Sequence, residues 1–125
     1  MVDKNTQRYL INVLRKATLP WWIRGECLRR ASKRFQNGFV KGGKNKGKQK
    51  WITRWKCSEC GNYSRSVEVD HIEEVGGFHG DWTEFINRLF CHISNLQVLC
   101  VKCHAKKTSR FLRDKISNDR GIDIL

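Results

Sequence analysis

The stretch "LCVKCHAKKT", residues 99–108, sets a histidine directly behind a Cys-x-x-Cys pair. A second pair lies upstream in "CSECG", residues 57–61, so Cys57 and Cys60 precede Cys100 and Cys103 with 39 residues between the pairs. Each pair can present two thiolates to one tetrahedral zinc, and Gly61 suits the tight turn such a knuckle needs. A thioredoxin-like redox pair and four buried free thiols are the other readings. A redox pair would not require the second knuckle, and no βαβ pattern surrounds either one. The paired spacing points to a structural zinc that ties the chain before a short strand to the start of the last helix. Cys27 and Cys91 lie outside the pattern and read as packed thiols.

The segment between the knuckles contains "SVEVDHIEEVGG", residues 66–77. Val67 and Val69 alternate with polar neighbours, as in a half-buried strand. Strict alternation sends His71 to the side of Val67 and Val69 and Asp70 to the other. A bend or bulge at the strand end is what would let Asp70 and His71 cooperate. Next, "DWTEFINRLF" reads as a short helix capped by Asp81, with Glu84 completing a capping box and Phe85, Ile86, Leu89 and Phe90 as its buried stripe. "LQVLC" reads as a second strand. A basic amphipathic helix follows from Val101 to about Asn118, with Phe111, Leu112 and Ile116 as its apolar side and Gly121 just past its end. His79, in a Gly-rich loop, and His92, beyond a helix end, read as surface or core filler.

The 125 residues suit one domain with a helical extension, and a hydrophobic share of 39% supports a small core that a metal staple would help. Residues 4–17 have the period of an amphipathic helix, with Leu10, Val13, Leu14 and Ala17 on one side. A second helix is expected from about Trp21 to Phe35, placing Leu28, Ala31 and Phe35 opposite Arg29, Arg30, Lys33 and Arg34. No acid follows Glu26 among those cations, so internal salt bridges are not expected to balance them. "NGFVKGGKNKGKQKW", residues 37–51, has the composition of a flexible cationic loop.

Charge is concentrated here. Of a net +13, Arg24 to Lys56 contribute 12 basic residues against the single acid Glu26, or +11. A polyanion such as DNA or RNA suits that concentration better than uniform solubilising charge does. The set expected to face it, rather than to form an ordinary solvated face, is Arg29, Arg30, Lys33, Arg34, Lys44, Lys46, Lys48 and Lys50. Trp21, Trp22, Trp51 and Trp55 lie near it; packing is their leading use and base stacking the second. The N-terminal stretch lacks the apolar run of a secretory signal, and no run of about 18 apolar residues spans a membrane, so cytoplasmic residence is expected.

Cys57-x-x-Cys60, Asp70-His71, Asn95 and Leu99-Cys100-x-x-Cys103-His104-x-x-Lys107-Thr108 together resemble the HNH endonuclease family in its zinc-bearing, tailed-phage form. The resemblance covers roughly residues 51–110. "FINRLFCHISNLQVLC" is similar to phage members throughout, and "WIRGECLRRASKRF" resembles the basic helix that often precedes the motif. It implies an α+β fold: a small ββα-metal (His-Me finger) core stapled by a four-cysteine zinc, flanked by N-terminal helices and a C-terminal helix. Residues 1–50 would form the basic helical extension with its Gly/Lys loop, and residues 51–125 the nuclease domain.

The resemblance also implies the roles. His71 is the general base; Asp70 and His104 ligate a catalytic Mg²⁺ or Mn²⁺; Asn95 orients the loop bearing the base or helps at the metal. Lys107 joins the DNA-facing cations. The reaction is phosphodiester hydrolysis in double-stranded DNA, nicking one strand at each site and leaving 5′-phosphate and 3′-hydroxyl ends. The setting is genome maturation or packaging, beside terminase and packaging proteins in the host cytoplasm. An imidazole, with an ordinary pKa of about 6.5, suits proton abstraction near neutral pH. One carboxylate and one imidazole leave a metal open positions for phosphate and water.

Two positions depart from the family. Glu74 and Val75 stand where members often carry proline, and Thr108 where some bacteriocin nucleases place a further histidine. The adjacent acids Glu73 and Glu74 read as solvated. A non-catalytic zinc-knuckle DNA-binding protein is the rival reading, and an RNase the third. Only a nuclease requires Asp70, His71 and His104 to converge on a second ion.

Overall fold

The computed structural model describes residues 2–119, with side chains through Ile116; Gly121 lies outside the described residues. Asp3 opens the first helix, α1 (Lys4–Ala17), by accepting the Thr6 backbone N–H at 2.8 Å, the bond an N-cap makes to an otherwise orphaned donor. The inward stripe of α1 is rotated from the expected one. Ile11 and Leu14 pack against the core, while Val13 and Ala17 are exposed.

Helix α2 (Trp22–Ala31) stops at Ala31 instead of continuing to Phe35. Ser32–Phe39 is a strand, β1, paired antiparallel with β2 (Gln49–Lys56), where a flexible loop was expected over 37–51. The cations at 29, 30, 33 and 34 fit a helical period, but Trp51, Ile52, Thr53 and Trp55 form a strand-favouring run, and pairing across the hairpin outweighs the local helix preference. The connection that remains is Val40–Lys48, closed by Val40 N–H to Lys48 O and Gly47 N–H to Val40 O, both 2.9 Å. Gln36 faces Trp51 and Phe39 faces Gln49, so two residues of β1 oppose one of β2 in a bulge, and Gly38 there takes a φ of 70° that favours glycine. A short β3 (Tyr63–Ser64) adds to β2, giving the order β1-β2-β3.

The remaining elements are β4 (Val67–His71), α3 (Trp82–Leu89), β5 (Leu96–Cys100) and α4 (Val101–Asp119), with β4 and β5 in a two-stranded sheet. The strand-strand-helix order β4, β5, α4 is that of an α+β fold with a ββα core. Asp81 caps α3 as expected, its Oδ1 accepting from Thr83 N at 2.9 Å and Glu84 N at 3.2 Å. Phe85 and Leu89 are buried, but Ile86, expected in the stripe, is 39% exposed. On α4, Phe111 is half-buried, whereas Leu112 and Ile116 are exposed.

The chain divides into two compact units. The first takes residues up to Arg30 together with Val69–Gln97, and the second Ala31–Glu68 together with Val98 onward. In the first, Val75, Phe85 and Leu89 form a core against which Ile11, Leu14, Phe78, Trp82 and Phe90 pack. Phe85 is fully buried, and truncating it to alanine would cost about 3–5 kcal/mol. In the second, the three-stranded sheet, both cysteine knuckles and α4 follow one another, with Cys57, Val98 and Leu99 buried.

Candidate active site and metal centre

Both knuckles belong to the second unit. At the first, Gly61 N–H donates to Cys57 O and Cys57 N–H to Asn62 O, each at 2.9 Å, with Gly61 at a φ of 75°. Ser58 N–H donates to Val98 O at 2.8 Å, which ties this turn to the end of β5 just before Cys100. The sulfurs of Cys57, Cys60, Cys100 and Cys103 all lie within 4.8 Å of one another, and those of Cys60 and Cys100 are 4.0 Å apart. A tetrahedral zinc with Zn–S bonds of about 2.3 Å would hold its sulfurs about 3.8 Å apart, so the cluster fits zinc with little adjustment.

The protons in this cluster are unevenly held. Burial resists ionisation of Cys57, but backbone N–H bonds from Cys60, Cys100 and Glu59 bring its thiol down to about 6. Cys103 is pushed up to about 12, first by its hydrogen bond to Cys100 and then by burial. Cys27 and Cys91 stand outside the cluster, and burial raises both thiols.

His71 ends β4 in the first unit. Its Nε2 lies 2.8 Å from the backbone oxygen of Leu89, at the end of α3. A carbonyl oxygen only accepts, so Nε2 carries the proton and the neutral ring keeps its lone pair on Nδ1. Asn95 braces the turn beyond it: its backbone oxygen accepts from Ile72 N at 2.7 Å and its Oδ1 from Glu73 N at 3.0 Å. The Asn95 side chain also bonds the Cys91 thiol. Further along, Arg88 donates to Val75 O and, at 2.9 Å, to Gly77 O, while Arg15 donates to Gly76 O at 2.8 Å. Val75 is buried, so an apolar anchor and two guanidinium clamps shape the loop of residues 75–77. Glu73 and Glu74 are exposed. Asp70, half-buried, accepts a long hydrogen bond from Gln97 Nε2 at 3.5 Å.

His104 stands in the first turn of α4, in the second unit, with Nδ1 3.0 Å from a carboxylate oxygen of Glu68 on β4. Nδ1–H donates to that carboxylate, which places the lone pair of the neutral ring on Nε2. Glu68, Gln97 and the Leu89 carbonyl are contacts that motif reading missed. The alternation of β4 marks Glu68 as an outward residue without saying what it would meet. A main-chain oxygen leaves no trace in residue identity.

The basic residues are spread over three kinds of element. Glu26 accepts from Arg29 at 2.8 and 2.6 Å and from Arg30 at 3.1 Å, so one acid does serve two of the cations expected to lack partners. Those bonds, Arg29 first, hold its carboxyl down to about 2. Lys33 and Arg34 sit on β1, where Lys33 lies over the rings of Phe35 and Tyr63 and Arg34 over Trp51, 5.1 Å from its centroid. Lys44, Lys46 and Lys48 belong to the hairpin connection and Lys50 to β2, all exposed, while Lys107 is half-buried on α4.

Residues 57–110 match the HNH endonuclease family, whose motif residues the sequence resembles. A protein of Lactococcus phage SK1 named "Probable HNH endonuclease" is 41% identical over 61 residues, which are 47% of this chain and 60% of that protein. No solved structure matches. Among the described residues, no helix is long and apolar enough to cross a membrane.

Proposed function

We propose that the HNH domain of residues 57–110 makes this chain a divalent-metal-dependent DNA endonuclease that hydrolyses one strand at each site. The observation that carries the reading is the tautomer of His71. With Nε2–H committed to Leu89 O at 2.8 Å, Nδ1 holds the lone pair that a general base needs. His71 Nδ1 takes the proton of a water as its oxygen attacks phosphorus. The bond to the 3′-oxygen breaks and that oxygen takes a proton from solvent water, leaving 5′-phosphate and 3′-hydroxyl ends. Asn95 keeps the turn after His71 in place by holding the backbone N–H groups of Ile72 and Glu73.

Asp70 and His104 are the proposed ligands of Mg²⁺ or Mn²⁺, an oxygen and a nitrogen donor suited to an ion that works with open positions. When bound, that ion would polarise the phosphate and offset charge on the departing oxygen. Glu68 would position His104 by holding Nδ1–H, which leaves the lone pair on Nε2, the atom that would ligate the ion. The zinc at Cys57, Cys60, Cys100 and Cys103 is structural. Duplex DNA is the proposed substrate, drawn by the cations of residues 24–56 and Lys107. Genome maturation or packaging beside terminase proteins, in a host cytoplasm, is the proposed setting.

The deciding assay incubates supercoiled plasmid with the protein and Mg²⁺ or Mn²⁺. Accumulation of nicked circles, abolished by EDTA and by His71→Ala, is expected. Absence of cleavage under every divalent ion, with DNA still bound, would assign the chain to the non-catalytic zinc-knuckle class.

A further inference from the structure

The β1–β2 hairpin has two unlike faces. Residues that pair directly across a sheet share a face. The register therefore places Ser32, Arg34, Gln36 and Phe39 of β1 with Trp55, Thr53, Trp51 and Gln49 of β2 on one face, and all of them except the half-buried Trp55 are exposed. On the opposite face Phe35, Ile52 and Arg54 are half-buried, and Phe35 meets Tyr63 edge-on at 5.2 Å. Among the described residues β3 pairs with Trp55 and Lys56, so the part of the hairpin from Arg54 back to its turn is a two-stranded ribbon.

Charge and side-chain chemistry select one occupant for the exposed face. Residues 32–56 contain nine Lys or Arg and no Asp or Glu. The exposed face itself carries an arginine, two glutamines and a threonine. Those groups read base edges: arginine pairs with guanine, glutamine with adenine, and a threonine methyl meets thymine. Arg34 is steadied over the Trp51 ring at 5.1 Å, which reduces the freedom it must lose when it binds. A two-stranded ribbon fits the B-DNA major groove, about 12 Å wide. The eight-residue β1, at about 3.3 Å per residue, reaches well along it.

We propose that the β1–β2 hairpin is a sequence-reading arm that lays its Arg34, Gln36, Gln49 and Thr53 face in the major groove of duplex DNA, with Lys44, Lys46 and Lys48 on the flanking phosphates. It rests on DNA being the substrate proposed above, yet the two can fail separately: nicking tests the nuclease, and binding by an uncut complex tests the arm. The arm, not the metal site, sets which duplexes the protein prefers.

The experiment uses full-length His71→Ala protein, zinc-loaded and without added Mg²⁺ or Mn²⁺. Preferred duplexes are selected from a random pool, and affinity is then followed by fluorescence anisotropy at several salt concentrations. Adding Gln36→Ala with Gln49→Ala should flatten the preference, weakening the selected duplex about tenfold or more while leaving unrelated duplexes nearly unchanged. Adding Lys44→Ala, Lys46→Ala and Lys48→Ala should weaken all duplexes alike and lower the slope of log affinity against log salt by about 2.7. Unchanged zinc content and melting temperature establish that these exposed substitutions leave the fold intact. Preferences identical to the parent in the glutamine variant would overturn the proposal. So would tighter binding to single strands than to duplex, lost on Trp51→Ala, which would make the face a stacking platform.

Discussion

His71 and His104 are held by opposite ring nitrogens against acceptors of different kinds. At the end of β4, a neutral main-chain oxygen takes Nε2–H of His71. At the start of α4, the carboxylate of Glu68 takes Nδ1–H of His104. A carbonyl fixes the tautomer without adding a charge, so the ring can accept a proton and pass it on. A carboxylate makes the ring a stronger donor to a cation, the arrangement commonly found behind metal-bound histidine. Two imidazoles of the matched region thus sit against different acceptors, the difference that the proposed base role of His71 and ligand role of His104 require.

The broadest way to break this contrast is to remove the zinc proposed at Cys57, Cys60, Cys100 and Cys103. Binding energies of about 10–16 kcal/mol for structural zinc exceed most of the roughly 5–15 kcal/mol stability of a small domain. Strong chelation, or Cys57→Ser, should therefore unfold the second unit and with it the Glu68–His104 pair. Circular dichroism melting beside zinc content measures this, and a melt unchanged by full zinc loss would remove the structural role. His71→Ala comes next. It should lower the cleavage rate about 10²- to 10⁴-fold, the usual contribution of a general base, with DNA affinity retained. Cleavage undiminished in that variant would sink the assignment of His71.

Glu68→Gln sharpens the comparison on the other side. It should raise the Mg²⁺ or Mn²⁺ concentration needed for half-maximal cleavage about 10- to 100-fold, with a smaller change in rate at saturating metal. A metal requirement equal to the parent's, with the rate alone reduced, would show that Glu68 does not act through the ligand. Asn95→Ala should have the smallest effect. Losing its bond to Glu73 N–H forfeits about 1 kcal/mol, or roughly fivefold in rate, at unchanged metal requirement.

The ββα core was legible because its evidence is local. Two Cys-x-x-Cys pairs, an alternating Val67-Glu-Val69 and an Asp81 cap each declare themselves within a few residues, and the matched family lies over the same stretch. The hairpin was not legible. Lys33 and Arg34 continue the helical period of Arg29 and Arg30, and the partners that make them strand, Thr53 for Arg34 and Ile52 for Phe35, lie far along the chain. The same limit explains the rotated face of α1. Ile11 and Leu14 are chosen over Val13 by a core built from Val75, Phe85 and Leu89.

By itself the sequence determined the chemistry available here: four cysteines at knuckle spacing, an Asp-His pair ending a strand, a histidine behind the second knuckle, and a basic segment. The tertiary structure decided which nitrogen of each ring holds the proton. The partners responsible are a main-chain oxygen 18 residues from His71 and a carboxylate on another element from His104. A tautomer is set by the acceptor that meets the ring, and that acceptor is placed by folding.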